Sequence, residues 1–439
     1  MSIVRQGALL GLALATLAVT GCGNSGDAQL RLLNASAGYA ALDVYFEQSG
    51  TGGTPQLSNV ASGTVSAYAG VTPAAYTVYF TSHGVGASNA LASQSATFSN
   101  SNRRTYVAYG DSGSFGVLEI NEQQGSPNGG YANVEVLNAD PDAGSVDVYL
   151  TSPGVPLANA SPNFGAVAGG KATSFASIPK GTYELRVTGA GKNTDLRFDL
   201  PSLTLADQET LSLIITEAPG GYLVNVMALP QKGSLTTYTN ADARVRAVVG
   251  VTGASSVTTA VDGTTLVSGA PAAAVGTYVL VPAGTQPVTL TVNGSAVSVP
   301  SQALTAGQDY TFLIYGSPGS EREGWLPDSN IPALSGYSSV RLVNAMSASG
   351  NPLSLAVDFV PVATNVPLGT DLPSGAASGA SAYDTQVTAT TTATVTVTDY
   401  TTSQTLYTMN TATLGASDVY TMFMFGSTSA PVGVFSQDR

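Results

Sequence analysis

Three short sequence markers recur in the same order four times along this chain, and that repetition constrains the fold more than any single residue does. RLLNA at Arg31–Ala35 returns as EVLNA at Glu135–Ala139 and RLVNA at Arg341–Ala345, with a weaker echo in RAVVG at Arg246–Gly250. A second marker reads YTVYF from Tyr76, YELRV from Tyr183, VTLTV from Val288 and ATVTV from Ala393. A third reads TYVAYG from Thr105, TLSLIIT from Thr210, YTFLIYG from Tyr310 and YTMFMFG from Tyr420. The period is about 100 residues, the size of a self-contained domain and far longer than a solenoid repeat.

Within each unit the apolar runs are short, alternate with polar residues and carry no helical period, as half-buried strands do. In the first copy the spacing predicts strands near LRLLN, LDVYFEQ, TVSAY, YTVYF, SATF, TYVAY and FGVLEI. Gly, Asn, Ser and Pro fall between them at hairpin spacing. About seven strands per unit predict an all-β chain of four tandem immunoglobulin-like β-sandwiches. Leu42, Val44 and Phe46 are expected to face inward, with Asp43 and Tyr45 outward. The repeats are placed at 29–122, 131–230, 238–330 (the most divergent) and 337–439. Linkers are expected at NEQQGSPNGG, PQKGSLTTYTN and the longer GSPGSEREGWLPDSNIPALSG.

Composition removes several function classes. The net charge of −13 with only 10% charged residues argues against sequence-independent nucleic-acid binding, which needs clustered Lys and Arg. A single cysteine and a single histidine rule out a Cys/His zinc site.

The chain opens with MSIVRQGALLGLALATLAVTGCGNSG. One positive charge, Arg5, precedes an apolar run that has the length of a signal-peptide core and falls short of a membrane span. The run ends in Val19-Thr20-Gly21-Cys22, which resembles the lipobox of bacterial lipoproteins. That resemblance implies a signal peptide at 1–21, cleavage before Cys22, and acylation of Cys22 at the head of a short tether, 22–28. It implies a cell-envelope protein held to the membrane through acyl chains. Gly23, standing where Asp would retain the protein at the inner membrane, favours the outer membrane.

The order NAS-x-G-x-x-x-LDVYF, then AYTVYF, then TYVAYG resembles the bacterial domain of unknown function 4397 family. EVLNADPDAGSVDVY with IPKGTYELRV carries the pattern best, RLVNAMSASG with LAVDF carries it in part, and Ala306–Thr311 supplies its last element. The third copy departs most, with Thr258 where an Asp is expected. The resemblance implies exported, often anchored β domains and no established activity.

Each candidate for chemistry has a structural alternative. Asp140, Asp142 and Asp147 crowd the segment NADPDAGSVDVYL, yet the third ligand and closing Glu of a calcium loop are missing. Asp43, Asp147 and Asp358 stand in what reads as one place in three copies, which points to scaffolding. Asp140 and Asp142, which the other copies lack, stay open as weak ligand contacts. GDSGS at Gly110–Ser114, with His83 upstream, imitates a serine-protease motif around Ser112. It aligns with GSPGS and GSTSA, the turn after the same strand in other copies, and lacks the geometry of a triad. His83 reads as a polar loop residue. Trp325 is expected to be a strand residue, with a sugar-stacking platform as its functional alternative. The run TATTTATVTVTDYTTSQTLYT reads as two strands with Thr-lined outer faces.

The sequence therefore predicts a lipid-anchored envelope protein with a structural, adhesive or partner-binding role, without catalysis and without a cofactor or firm metal site. An envelope protein or a glycan is the expected partner. The alternative is a carbohydrate-binding envelope protein that uses exposed aromatics and loops.

Overall fold

A computed structural model describes residues 27–47, 53–111, 113–347, 350–377, 380–383 and 385–439. Cys22, the apolar leader and Ser112 lie outside the described residues. The described chain is built from strands, with three 3-10 turns at Ala87–Asn89, Pro141–Ala143 and Leu157–Asn159.

Each repeat is a sandwich of two sheets, to which the third adds a two-stranded ribbon of Gly284–Gln286 with Gln302–Leu304. In the first repeat one sheet orders Leu57–Ala61, Ala41–Glu47, Ala75–Ser82 and Ala92–Thr97 side by side. The other places Ala28–Asn34 parallel to Arg103–Tyr109, which then turns back antiparallel to Gly116–Asn121. The same parallel pairing joins Tyr131–Asn138 to Thr210–Glu217, Asp242–Val251 to Asp309–Ser317, and Tyr337–Asn344 to Val419–Ser427. The first and third sequence markers are therefore hydrogen-bonded neighbours in every repeat. Each sandwich has its own core, such as Leu30, Leu32, Leu42, Val44, Phe80 and Tyr106 in the first.

The parallel pair is apolar on both faces, as strands buried on two sides are. Its inner face fills the sandwich, and its outer face packs against the neighbouring repeat. Leu33 and Val107 of the first repeat join Leu137, Ile214, Met227 and Leu229 of the second. Val248, Leu313 and Tyr315 of the third join Val343, Phe423 and Phe425 of the fourth. The repeats thus pack face to face as one pair, first with second, and another, third with fourth.

Four expectations change. Asp43 and Tyr45 point away from the sandwich core as their alternation requires, but both are buried. The strand Leu57–Ala61 is additional, and the expected strand at TVSAY is divided into Thr64–Val65 and Ala69–Val71. The longest expected linker is largely a hairpin: Ser320–Asp328 pairs along the full length of Asp309–Ser317, with Trp325 opposite Phe312. PQKGSLTTYTN contains the strand Thr236–Tyr238, which extends the sheet of the second repeat.

Candidate functional site

The recurring aspartate sits opposite a β-bulge, an irregularity that leaves one backbone N–H without a ladder partner. In the first repeat the bulge turns Asn59 to a positive φ, and the Asn59 amide donates to Asp43 Oδ1 at 2.7 Å. Ser58 Oγ donates to the same oxygen, His83 Nδ1 lies 2.9 Å from it, and the Gly84 amide donates to Oδ2. Burial pushes the Asp43 carboxyl up, but these partners outweigh it and hold the group below its ordinary value. Asp147 does the same work, accepting from Ala166 N at 2.7 Å and Gly191 N at 2.8 Å. In the third repeat Thr258 Oγ1 accepts from Gly269 N at 2.9 Å.

The fourth member is Ser354, which corrects the assignment to Asp358. Ser354 lies opposite Thr398 as Asp43 lies opposite Thr81 and Asp147 opposite Thr188, and its Oγ accepts from Asn365 N. Asp358 instead occupies a tight turn at positive φ and accepts from Thr394 N at 2.7 Å. The letter match of VDF to VDV misplaced it by four positions. In all four copies the position is a staple for a bulge.

The asparagine of the first marker ties the two sheets of its own sandwich. Asn34 Nδ2 donates to Tyr39 O and Val60 O, Asn138 Nδ2 to Gly144 O and Val167 O, and Asn344 Nδ2 to Asn351 O and Val366 O. Val249 replaces it in the third repeat and is fully buried.

The most elaborate polar constellation lies at the faces between repeats, and it begins with the arginine of the same marker. Arg246 Nε donates to Thr311 Oγ1 at 2.9 Å, directly across the parallel pair. Thr311 donates to Asp328 at 2.6 Å, Tyr278 donates to Asp328 at 2.5 Å, and the Tyr278 ring lies 4.6 Å below the Arg246 guanidinium. The fourth repeat places Arg341, Thr421 and Asp438 in the same way, and the Tyr383 ring lies 4.8 Å from the Arg341 guanidinium without its hydroxyl reaching the acid. The two sets then exchange partners: Arg246 donates to Asp438 at 2.5 and 3.0 Å, and Arg341 pairs with Asp328 at 2.6 Å. Arg341 also donates to Asp371 at 2.9 Å. Burial raises the Asp328 carboxyl, and Arg341 and Arg246 more than reverse it, holding it below its ordinary value.

The first repeat carries the same set as Arg31, Thr105, Glu122 and Tyr68. The second repeat does not. Glu135, Ser212, Phe175 and Gln231 stand at the four places, so no arginine answers across the face. Arg31 reaches Gly233 O at 2.7 Å instead, and Glu122 accepts from Lys232 N at 2.8 Å. Glu135 is buried with Ser212 Oγ as its hydrogen-bond donor at 2.6 Å, and burial pushes its carboxyl up to about 7.

Asp140 and Asp142 lie at the edge of this same face. Asp140 is buried and caps the 3-10 turn Pro141–Ala143 by accepting from Ala143 N at 3.0 Å. The two line a small cleft with Asp111 and Ser114 of the first repeat and Glu217 of the second. Among the described residues no group of three or more His, Cys, Asp or Glu side chains is arranged to hold a metal ion. Trp325 is half-buried against the core of the third repeat, its ring stacked on Phe312 at 4.4 Å and edge-on to Tyr310 at 6.4 Å.

The family model for a domain of unknown function, DUF4397, matches residues 28–149 and 243–358, together more than half of the chain. The chain belongs to the DUF4397 family. Each DUF4397 match starts on the first strand of an odd-numbered repeat and runs through the second long strand of the next, to Tyr149 and Asp358. The matched lengths therefore take in the odd-numbered side of each junction and the first strand of the facing repeat, and stop short of Ile214, Met227, Phe423 and Phe425. No curated protein matches the chain. A solved structure of a candidate cell adhesion protein from Bacteroides uniformis is similar over 46% of this chain and 99% of its own length, at 15% identity and a TM-score of 0.20. A likeness that slight carries no argument about what this DUF4397 chain does.

Proposed function

We propose that this DUF4397 protein is a non-catalytic, lipid-anchored component of a bacterial cell envelope, most consistent with the outer membrane, that works by adhesion to a protein partner. The observation that carries the adhesive reading is the edge strand Thr405–Leu414 of the fourth repeat. It spans 10 residues, pairs on one side with Thr390–Asp399, and contains neither a charge nor a proline. The equivalent edge of the second repeat, Lys192–Leu205, is guarded by Lys192, Asp195, Arg197, Asp199 and Pro201. Guarding of that kind is how proteins keep other chains from adding to a sheet edge, and an unguarded edge accepts an added strand. At the near end of the same sheet Phe359 is 90% exposed on a positive-φ turn. The absence of catalysis is supported by the acids and arginines already described, which are engaged in stapling bulges and joining repeats.

Two experiments test the two halves of the proposal. Cys22→Ser is expected to leave the protein unlipidated and out of the membrane fraction, and unchanged palmitate labelling of that variant would sink the anchor. Asn410→Pro in the open edge is expected to abolish in-cell crosslinks of the membrane-bound protein to its partner while leaving the fold intact by circular dichroism. Crosslinks of equal yield in Asn410→Pro would remove the edge as the adhesive surface.

A further inference from the structure

The cleft between the first two repeats gathers more carboxyl groups than it has cations to balance. Asp111 comes from the turn after Arg103–Tyr109, Asp140 and Asp142 from the turn after Tyr131–Asn138, and Glu217 from the end of Thr210–Glu217. Arg439 enters from the fourth repeat. Its guanidinium donates to the carbonyls of Asp142 and Gly221 and, at 2.7 Å, to that of Asn330, while its face lies 5.4 Å from the Tyr222 ring. Arg197 donates to Ala143 O at 2.5 Å but is already paired with Asp195 at 2.8 Å. Among the described residues, Arg439, bound to carbonyls and to no carboxylate, is therefore the cation that stands against the four carboxyls.

The walls leave little space between the carboxyls. The free volume is about 10 Å³, room for about one water molecule. The backbone is equally tight: a Cβ on Gly38 would come within 2.3 Å of Asp111, and one on Gly169 within 2.6 Å of Pro141. Ionising Glu217 beside Asp140 and Asp142 sets like charges against one another across the narrow cleft and works against the contact of its walls. Two of the walls, Ala35 and Ala139, also belong to the apolar seam that joins the repeats.

We infer that this cleft is a proton-operated junction, closed while its carboxyl groups hold protons and loosened when they lose them, so that the first repeat separates from the second along the seam. The directions of titration agree with the geometry. Burial, and then the neighbouring Asp111, Asp140 and Asp142, push Glu217 up to about 8 against the pull of Arg439. Burial, and then Asp142, push Asp140 up to about 6. Both folded values lie above the ordinary ones, so their contribution is complete in acid and is lost as pH rises through about 6 and then about 8.

Hydroxyl-radical labelling of the full chain tests the junction, because the strand amides stay hydrogen-bonded within their own sheet whether or not the repeats touch. Labelling of Met227, buried in the seam, should rise at least tenfold between pH 6 and pH 9. Phe423, at the equivalent seam of the third and fourth repeats, should keep its protection. Glu217→Gln should remove most of the rise, and Asp111→Asn, which alters the opposite wall, should reduce it. Arg439→Gln should move the opening to lower pH. Equal loss of protection at both seams, or the same profile in wild type and in both neutralised variants, would overturn the junction. Full closure at pH 9 by millimolar calcium would also overturn it, since the cleft would then be an ion site.

Discussion

The two face-to-face junctions share one backbone architecture and hold together by opposite means. Between the third and fourth repeats, two arginines and two aspartates exchange partners across the face, Asp371 adds a second acid to Arg341 within the fourth repeat, and each charge is answered within 3.0 Å. Between the first and second, one of the two arginine places holds Glu135, and the polar edge is a set of acids short of cations. The apolar seam is common to both, so the two junctions differ in the polar groups at its edge. What the network decides is the response to pH. In the arginine-rich junction Asp328 gains from ionisation, and its contribution is lost in acid, as pH falls below the ordinary aspartate range. The acid-rich junction gains from protonation and weakens in alkali.

The largest test of that contrast is Arg341→Met. It leaves Asp328 and Asp371 buried without their shared cation, and a loss of about 3–5 kcal/mol is expected in urea unfolding of the third and fourth repeats. The corresponding Arg31→Met should cost less, about 2–3 kcal/mol, because it takes the cation from one acid, Glu122, where Arg341→Met takes it from two. A loss at Arg31 equal to that at Arg341 would show that the two junctions do not differ in kind.

The second repeat can also be converted toward the other type. Glu135→Arg alone should destabilise, because it sets a second cation opposite Arg31 without a new acid. Adding Gln231→Asp should recover about 1–3 kcal/mol of coupling in a double-mutant cycle. The smallest effect is expected for Glu135→Gln. With the folded value near 7 against an ordinary 4.5, this acid opposes stability as pH rises through 7. Neutralising it should stabilise the protein by about 1–2 kcal/mol at pH 8 and leave it unchanged at pH 4.5, read from paired thermal melts.

Much of this architecture was legible in the chain. Alternating apolar residues and the order of three markers are local signals, and they identify the sandwiches and the equivalence of their strands. The bulge staple was half legible: Asp43, Asp147 and Thr258 fall into place by pattern, whereas Ser354 does not share their letters and only pairing with Thr398 identifies it. The junction sets were not legible, because their parts lie far apart. Thr105 is 74 residues from Arg31, and Asp438 is 192 from Arg246. The one available clue was a hydroxyl recurring inside the third marker, at Thr105, Ser212, Thr311 and Thr421. The acidic cleft needed the packing of two repeats before Asp111 and Glu217 could join Asp140 and Asp142.

The parallel pairing of each repeat's first and penultimate strands also limits how far such a protein can reach. In the first repeat Leu30 lies beside Arg104, and Arg104 lies beside Asn121, so the chain enters and leaves at the same end, about 10 Å apart across two strand spacings. A tandem array with ends placed this way doubles back on itself at every unit. Adding repeats in this way enlarges the contact surface more than it lengthens a stalk, and on the proposed anchor a partner would be held close to the membrane.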